Sequence, residues 1–207
     1  MKKLIKQIAS SLGYEIRRSP KKSVRNIFQG VFDASNFQKI NYGYGTAPMK
    51  EWLNVDLQPV KKEGFATLCV DLISPHPFAD HSFQWGFCED FIEHLSQAQS
   101  LIFLSEVYRT FKPGGILRIS TPGMSGVLKK FYLKREYQDM INGNKEIYDQ
   151  WQHLHFYSED ELSLVCRHLG FRQIEFVQFR QSAHSELKNL DTRDQQITFN
   201  LYAEITK

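Results

Sequence analysis

Short runs of hydrophobic residues recur along the chain from residue 39 onward, and each run ends at a polar or glycine-containing break. Such runs between turn signals are typical of strands buried in a sheet. Seven segments show this pattern: 39–42, 52–57, 66–72, 83–88, 116–120, 174–179 and 197–205. The last two alternate apolar and polar residues, as strands that close a sheet do. The pattern therefore predicts seven strands.

Residues 82–121 indicate how the strands are connected. The fourth apolar run ends on the adjacent carboxylates Glu89 and Asp90. A stripe with helical spacing follows, formed by Leu101, Leu104, Tyr108 and Phe111. The turn at 112–115, with the sequence Lys-Pro-Gly-Gly, then leads into the fifth run. Strand, helix, turn and strand in this order predict a parallel βαβ unit.

These elements predict an α/β fold. We expect a three-layer sandwich around a mostly parallel seven-stranded sheet, with the last strand antiparallel and helices between the early strands. Only ten residues separate Gly45 from Asp56, whereas a parallel crossover normally needs about a dozen or more. The first crossover helix is therefore predicted to be shortened. Ser158 and Glu161 form a capping-box pattern that predicts a later helix.

Length and composition favour a single domain in a reducing compartment. A chain of 207 residues with 42% hydrophobic content can bury one core. The cysteines are odd in number, widely spaced and in apolar contexts, which is typical of reduced thiols: Cys69, Cys88 and Cys166. No apolar run approaches the roughly 20 residues of a membrane span, and no signal-peptide core is present. We expect a cytoplasmic protein, as a monomer or homodimer.

The positive charge is concentrated in the first part of the chain. Residues 1–39 contain nine basic and two acidic side chains, a net charge of +7, which leaves −4 for the remainder. We predict a basic amphipathic extension at 1–36, preceding a folded domain at 37–207. A helix docked on the domain and a weak peripheral membrane contact through residues 1–25 both fit this segment. Nucleic-acid binding is not expected, because the folded part is net negative.

Three successive predicted strands end in groups suited to a nucleoside. Gly43 and Gly45 follow the first strand, Asp56 ends the second and Asp71 ends the third. Glycine permits close backbone approach to a ligand. A carboxylate after the second strand can accept hydrogen bonds from both ribose hydroxyls, and one after the third can accept from an adenine amino group.

The motifs of this region resemble those of class I S-adenosylmethionine-dependent methyltransferases. The segment KINYGYGTAPMKEWLNVDLQP at 39–59 resembles the glycine-loop opening of a subgroup of these enzymes, and the PF.D.SF, EHL and KPGG series recurs after it. The resemblance implies that Gly43 and Gly45 line the methionine moiety and that Asp56 holds the ribose. It also implies that Asp71 and Leu72 border the adenine of S-adenosylmethionine.

Two features depart from the pattern of that family. Tyr42 and Tyr44 replace the small or apolar residues usual in that glycine loop, so a ring is expected to crowd or stack on the cofactor, with Tyr44 as a contact. The missing crossover helix argues against a dinucleotide site, because a pyrophosphate relies on a full helix N-terminus. S-adenosylmethionine has no pyrophosphate and tolerates the shortening.

The end of the fourth strand is predicted to face the acceptor. We expect Glu89 to contact the methionine amino group and Asp90 to contact the acceptor, as a base if one is needed. The alternative is that both carboxylates cap the following helix. His94, in the EHL motif, is a candidate substrate contact. Arg118, inside the fifth strand, is expected to pair with a carboxylate beneath the cleft.

An aromatic-rich insertion at 122–157 follows the fifth strand and is predicted to close over the acceptor as a lid. His155 is a candidate catalytic residue, and Tyr157 and His184 are candidate substrate contacts. His153 and His155 alternate as on a strand, but no third ligand stands at metal spacing, so no metal site is expected.

Methyl transfer to a small molecule is the leading hypothesis, with a sugar or lipid-linked glycan slightly favoured. The cofactor carries the hard chemistry, so neither a nucleophile nor a metal is required. Two alternatives stay open. An aminopropyltransferase would share this sheet but needs a more acidic pocket. A non-catalytic methyltransferase-like module would bind partners through the basic extension.

Overall fold

The computed structural model describes residues 30–133 and 136–207. The predicted amphipathic segment and its membrane contact through residues 1–25 lie outside these ranges. Within them, no helix is long and apolar enough to cross a bilayer. The described chain is packed on the domain from its first turn, because the Phe32 amide donates to the Pro77 carbonyl and Ala34 is buried.

Seven strands form one sheet in the order β3-β2-β1-β4-β5-β7-β6. Their bounds are β1 Lys39–Tyr42, β2 Leu53–Asp56, β3 Ala66–Cys69, β4 Phe83–Glu89, β5 Phe111–Pro122, β6 Gln173–Phe176 and β7 Asn200–Thr206. The first five strands are parallel to one another, and β7 runs antiparallel to both β5 and β6. The predicted sheet is confirmed. Its strand order reverses between β1 and β4, the position where open α/β sheets bind ligands.

The helices follow the later strands. They are α1 Gln97–Thr110, α2 Met124–Val127, α3 Tyr137–Asn144 and α4 Glu159–His168. The connections β1–β2, β2–β3 and β3–β4 contain no helix, so the expected helices between the early strands are wrong. The first crossover is too short for a helix, as predicted, and the next two connections are also irregular.

The two faces of the sheet are covered differently. Because side chains alternate along a strand, Cys88 and Leu117 lie on one face and Phe87 and Ile116 on the other. The first face packs against apolar side chains of α1 and α4 in the main core. The second face forms a smaller cluster with Leu187. An irregular segment at 177–199, between β6 and β7, therefore takes the place of a helical layer there.

Candidate active site

The ends of β1 and β2 are joined directly. The Gly45 amide donates to Asp56 Oδ2 at 3.0 Å, and the Gln58 amide donates to Asp56 Oδ1 at 2.9 Å. Gly43 and Gly45 have φ angles of 61° and 54°, a left-handed conformation that favours glycine. A Cβ atom added at Gly45 would meet no heavy atom within 4 Å. The loop thus exposes open backbone beside a carboxylate that can accept further hydrogen bonds.

The two tyrosines of the loop are both buried. Tyr42 is fully buried, and its ring packs edge-on against Phe103 at 5.2 Å. Burial raises the pKa of the Tyr42 phenol. The Tyr44 hydroxyl donates to the Val60 carbonyl at 3.0 Å, which ties the glycine loop to the β2–β3 connection. Tyr42 therefore belongs to the core below the loop, and Tyr44 braces the loop from the side.

Asp71 and Leu72 lie in a tight turn after β3. The Asp71 carboxylate accepts from the Ile73 amide at 3.2 Å and from Ser74 Oγ at 2.9 Å. Both Asp71 and Leu72 are buried. These bonds give Asp71 a structural role in the turn, and its contact with adenine stays a prediction.

The two carboxylates at the end of β4 reach different partners. Glu89 accepts from the Thr192 amide at 2.8 Å and from the Thr192 hydroxyl. Asp90 has a φ angle of 49°, and its Oδ2 lies 3.2 Å from Nε of Arg193. Burial raises the pKa of both carboxyls. Their hydrogen-bonding and charged partners at 192–200 act in the opposite direction and lower the pKa. The left-handed turn at Asp90 separates the two side chains.

Arg118 anchors the segment that supplies these partners. Its guanidinium donates to the buried Asp191 carboxylate at 3.0 and 2.6 Å. It also donates to Glu204 Oε1 at 2.8 Å, and Glu204 is its cross-strand partner on β7. The predicted ion pair of Arg118 beneath the cleft is confirmed. Because Thr192 and Arg193 follow Asp191 directly, this anchor determines where Glu89 and Asp90 find their partners.

A cavity of about 730 Å³ opens beside Asp90. One wall comes from the end of β4 and its following turn, and another from Arg193 to Phe199. The aromatic insertion forms a third wall through Phe131, Ile147 and Trp151. A second cavity of about 470 Å³ lies next to it, on the far side of Gly126. Neither cavity is lined by Gly43, Gly45, Asp56 or Asp71.

Glu93 lies at the base of the larger cavity, in a 3-10 turn at Ile92–His94. Thr121 Oγ1 donates to Glu93 Oε2 at 2.8 Å. Glu93 Oε1 lies 4.0 Å from His94 Nε2 and 3.9 Å from His153 Nε2. Burial, with the nearby charge of Asp90, raises the pKa of Glu93 to about 8. Burial and the neighbouring His94 lower the pKa of His153 to about 4.

Residues 34–119 match the family model described as "Methyltransferase domain". The match starts before β1 and ends in β5, so it includes the glycine loop, Asp56 and the end of β4. The matched segment is thus similar to a methyltransferase domain, and the strand order of the whole sheet is that of the Rossmann-like fold of class I S-adenosylmethionine-dependent methyltransferases. S-adenosylmethionine is the cofactor of this class.

Solved structures with this fold include several methyltransferases. A SAM-dependent methyltransferase and possible histamine N-methyltransferase from Thermotoga maritima is 22% identical, covers 82% of each chain and has a TM-score of 0.55. One from Archaeoglobus fulgidus is 16% identical over 100% of this chain and 95% of that chain, with a TM-score of 0.54. Phosphoethanolamine N-methyltransferase 2 of Haemonchus contortus, in complex with S-adenosyl-L-methionine, is 15% identical over 88% of this chain and 50% of that chain, with a TM-score of 0.52. No curated protein matches the chain.

The predicted acceptor residues are only partly brought together. Asp90 and His94 line the larger cavity, and Tyr157 lines the smaller one while its hydroxyl contacts Ser100. His155 lies outside the walls of both cavities and pairs with Glu161 at 3.0 Å. His184 packs against Trp85 within β4, with ring centroids 5.4 Å apart.

A second histidine, His153, lines the larger cavity beside His94, and it lies two residues before the predicted His155. The amides of Leu154 and His155 donate to the Glu93 carbonyl at 2.7 and 3.2 Å. This contact turns the His153 side chain inward and leaves the His155 side chain at the start of α4. The structure therefore favours His153 over His155 for a role in this cavity. Two features of the sequence indicated the part of the cavity around Glu93 and His153. They are the EHL motif directly after β4 and the alternate spacing of His153 and His155.

Proposed function

We propose that the protein transfers the methyl group of S-adenosylmethionine to a small polar acceptor held in the larger cavity. The observation that carries the proposal is the position of this cavity. It opens at Asp90, directly after Glu89 on the strand that borders β1, so the predicted cofactor residues and the cavity share one edge of the sheet.

The glycine loop fits the cofactor. Gly45 offers open backbone, and Asp56 is held beside it by the Gly45 amide. Asp56 keeps free acceptor positions on its two oxygens for ribose hydroxyls. When bound there, S-adenosylmethionine supplies an electrophilic methyl group on a positively charged sulfur. Glu89 would hold the ammonium of its methionine part.

The acceptor chemistry falls to the residues of the larger cavity. In a methyl transfer the bond from sulfur to carbon breaks as the acceptor's bond to carbon forms, and sulfur keeps the electron pair. The acceptor's proton then needs a base, and Asp90 is a carboxylate facing the cavity that can take it. Positioning and exclusion of water, here by the insertion, supply most of the remaining catalysis.

The lining of the cavity supports a hydroxylated acceptor, with a sugar or lipid-linked glycan slightly favoured. Exposed faces of Phe131, Trp151 and Phe199 lie among charged groups of both signs. Aromatic faces and hydrogen-bonding groups together suit a polyhydroxylated ring. An aminopropyltransferase would need an acidic pocket for a polyamine, but three basic side chains balance the acidic ones: Lys129, Lys130 and Arg193.

Isothermal titration calorimetry with S-adenosylmethionine tests the proposal. We expect binding in the micromolar range, and a loss of at least about tenfold in Asp56→Ala, from charge-assisted hydrogen bonds to the ribose. Circular dichroism must show that the variant is folded. If S-adenosylmethionine does not bind to folded wild-type protein, the proposed enzymatic function is refuted and the non-catalytic module is the remaining alternative. Methyl-labelled cofactor incubated with pools of sugars, glycolipids and amines then identifies the acceptor.

A further inference from the structure

We propose that Glu93, His94 and His153 form a binding site for one divalent transition-metal ion in the wall of the larger cavity. The role of this ion rests on the proposed function: its open coordination positions would face the acceptor. The site itself stands on the geometry of the three side chains. We refer to these three residues as the Glu-His-His cluster.

The donor atoms of the cluster already converge. Glu93 Oε1 lies 4.0 Å from His94 Nε2 and 3.9 Å from His153 Nε2. The three ligand atoms lie within 4.8 Å of one another. An ion bound at about 2.1 Å from each atom requires donor atoms about 3.0–3.4 Å apart. Binding would therefore draw the side chains together by about an ångström.

A second observation points independently to a bound cation. Glu93 is 1% exposed, yet Oε1 has no hydrogen-bond partner, and the buried Nδ1 of His153 also has none. A buried carboxylate oxygen without a partner carries a large desolvation cost. The other oxygen, Oε2, is held by Thr121 Oγ1 at 2.8 Å. This arrangement leaves one lone pair of Glu93 directed at the two imidazoles and the cavity, and orients the carboxylate as the outer-shell partner of a metal ligand does.

Two cationic side chains of the cavity wall are paired with carboxylates other than Glu93. Asp90 is paired with Arg193 at 3.2 Å, and Lys130 is paired with Glu146 at 3.0 Å. The two imidazoles lie about 4 Å from Glu93 Oε1. A divalent ion would neutralise the buried carboxylate and satisfy both rings at once.

The ligand set selects the class of metal. Two imidazoles and one carboxylate suit zinc, iron, cobalt or manganese, whereas calcium and magnesium prefer oxygen ligands. Three protein ligands leave coordination positions open for water or for an oxygen atom of the acceptor. A bound ion lowers the pKa of such an oxygen. The proposed ion would thus favour a hydroxyl over an amine as the methyl acceptor.

The cluster also joins two distant parts of the chain. Glu93 and His94 follow β4, whereas His153 lies at the end of the insertion, 60 residues further on. The insertion is already held at this point by the hydrogen bonds from Leu154 and His155 to the Glu93 carbonyl. The spacing argument from the sequence considered only His153 and His155, so it did not include ligands from the EHL motif.

Metal binding is tested on tag-free, full-length protein treated with a chelator and then dialysed. Titration with Zn²⁺ and Co²⁺ by calorimetry, with the metal content measured after dialysis, should give one ion per chain. Co²⁺ should add visible absorption bands of histidine coordination. His94→Gln is the first variant, because its side chain is 41% exposed and the fold should tolerate the change. We expect it to weaken binding by at least about tenfold, and Glu93→Gln by more.

The matched control is His155→Gln, which also removes an imidazole beside a carboxylate but lies outside the cluster. It should bind metal as the wild type does. Less than about a tenth of an ion per chain in wild type, or equal loss in His94→Gln and His155→Gln, would overturn the metal site. Titration of the same metal-free protein with S-adenosylmethionine separates the two proposals. If the protein binds the cofactor but fails to bind a metal ion in the metal titration, only the cluster is overturned. If it binds the metal ion but not the cofactor, only the methyltransferase function is overturned.

Discussion

The guanidinium of Arg118 and the carboxylate of Asp191 form a two-pronged ion pair from which solvent is fully excluded. The two bonds measure 3.0 and 2.6 Å, and neither side chain is exposed. The residues are 73 positions apart. The next two residues after Asp191 are Thr192 and Arg193, which contact Glu89 and Asp90. A buried pair on one face of the sheet thereby positions the partners of both carboxylates at its edge.

Removal of Asp191 should be strongly destabilising. Asp191→Ala leaves the Arg118 charge buried with one remaining carboxylate partner, Glu204. Breaking a buried pair in this way costs about 3–5 kcal/mol of unfolding free energy. Urea unfolding measures the loss. Lys130→Met is the control, because it breaks an ion pair whose side chains are 51% and 39% exposed and should cost about 1 kcal/mol or less. Similar losses in the two variants would contradict the anchoring role.

The two glycines of the loop should respond differently to alanine. Both have positive φ, so either substitution strains the backbone by about 1–2 kcal/mol. At Gly43 the new Cβ would also lie 2.5–2.9 Å from the ring and Cβ of Phe91, whereas at Gly45 it meets nothing within 4 Å. We expect Gly43→Ala to destabilise the protein by about 2 kcal/mol more than Gly45→Ala. Thermal and urea unfolding compare the two variants. Equal stability of the two would show that the Phe91 ring moves aside without a cost in free energy.

The rim of the sheet could be predicted because it follows from local rules. The apolar runs give the strands, and parallel strands bring their carboxyl ends to one edge. Gly45 and Asp56 therefore had to be neighbours, and the structure joins them by a hydrogen bond. The short connection between them excluded a helix for the same elementary reason of chain length.

The acceptor side depended on contacts that no local pattern specifies. His153 and His155 are equivalent in spacing, and only the bonds of the following amides to the Glu93 carbonyl decide which ring turns inward. From the sequence, His184 is a candidate substrate contact, but its ring packs on Trp85 against the face of the sheet. Sequence patterns give periodicity, whereas these placements come from the tertiary path of the segments at 122–157 and 177–199.

Stability should fall in mild acid because of His76. Its ring is buried beside Tyr42 and contacts the Leu72 carbonyl at 3.3 Å. Burial lowers the pKa of His76 to about 4, against the opposing charge of Glu106. In the unfolded chain the pKa is about 6.5. The folded state therefore disfavours the charged ring, so its contribution is complete above about pH 6.5 and is lost as the pH falls toward 4.

Between pH 7 and pH 5 this residue should remove about 2 kcal/mol of unfolding free energy. His76→Gln keeps a donor for the Leu72 carbonyl but cannot titrate. Urea unfolding at both pH values measures how much unfolding free energy is lost from pH 7 to pH 5. This loss should be about 2 kcal/mol smaller in the variant than in the wild type. Parallel pH profiles for the two proteins would rule out His76 as the titrating group.

Glu89 should contribute to cofactor affinity through charge. Its carboxylate accepts two hydrogen bonds from Thr192, and Glu89→Gln keeps its shape while it removes the charge. Loss of a charge-assisted bond to the methionine ammonium should raise the Kd for S-adenosylmethionine by about tenfold or more. 5′-Methylthioadenosine lacks the amino acid part and serves as the matched ligand, with a Kd expected to change less than about twofold. An equal loss for both ligands would mean that Glu89 acts through the segment at 177–199, and no loss for either would remove it from the cofactor site.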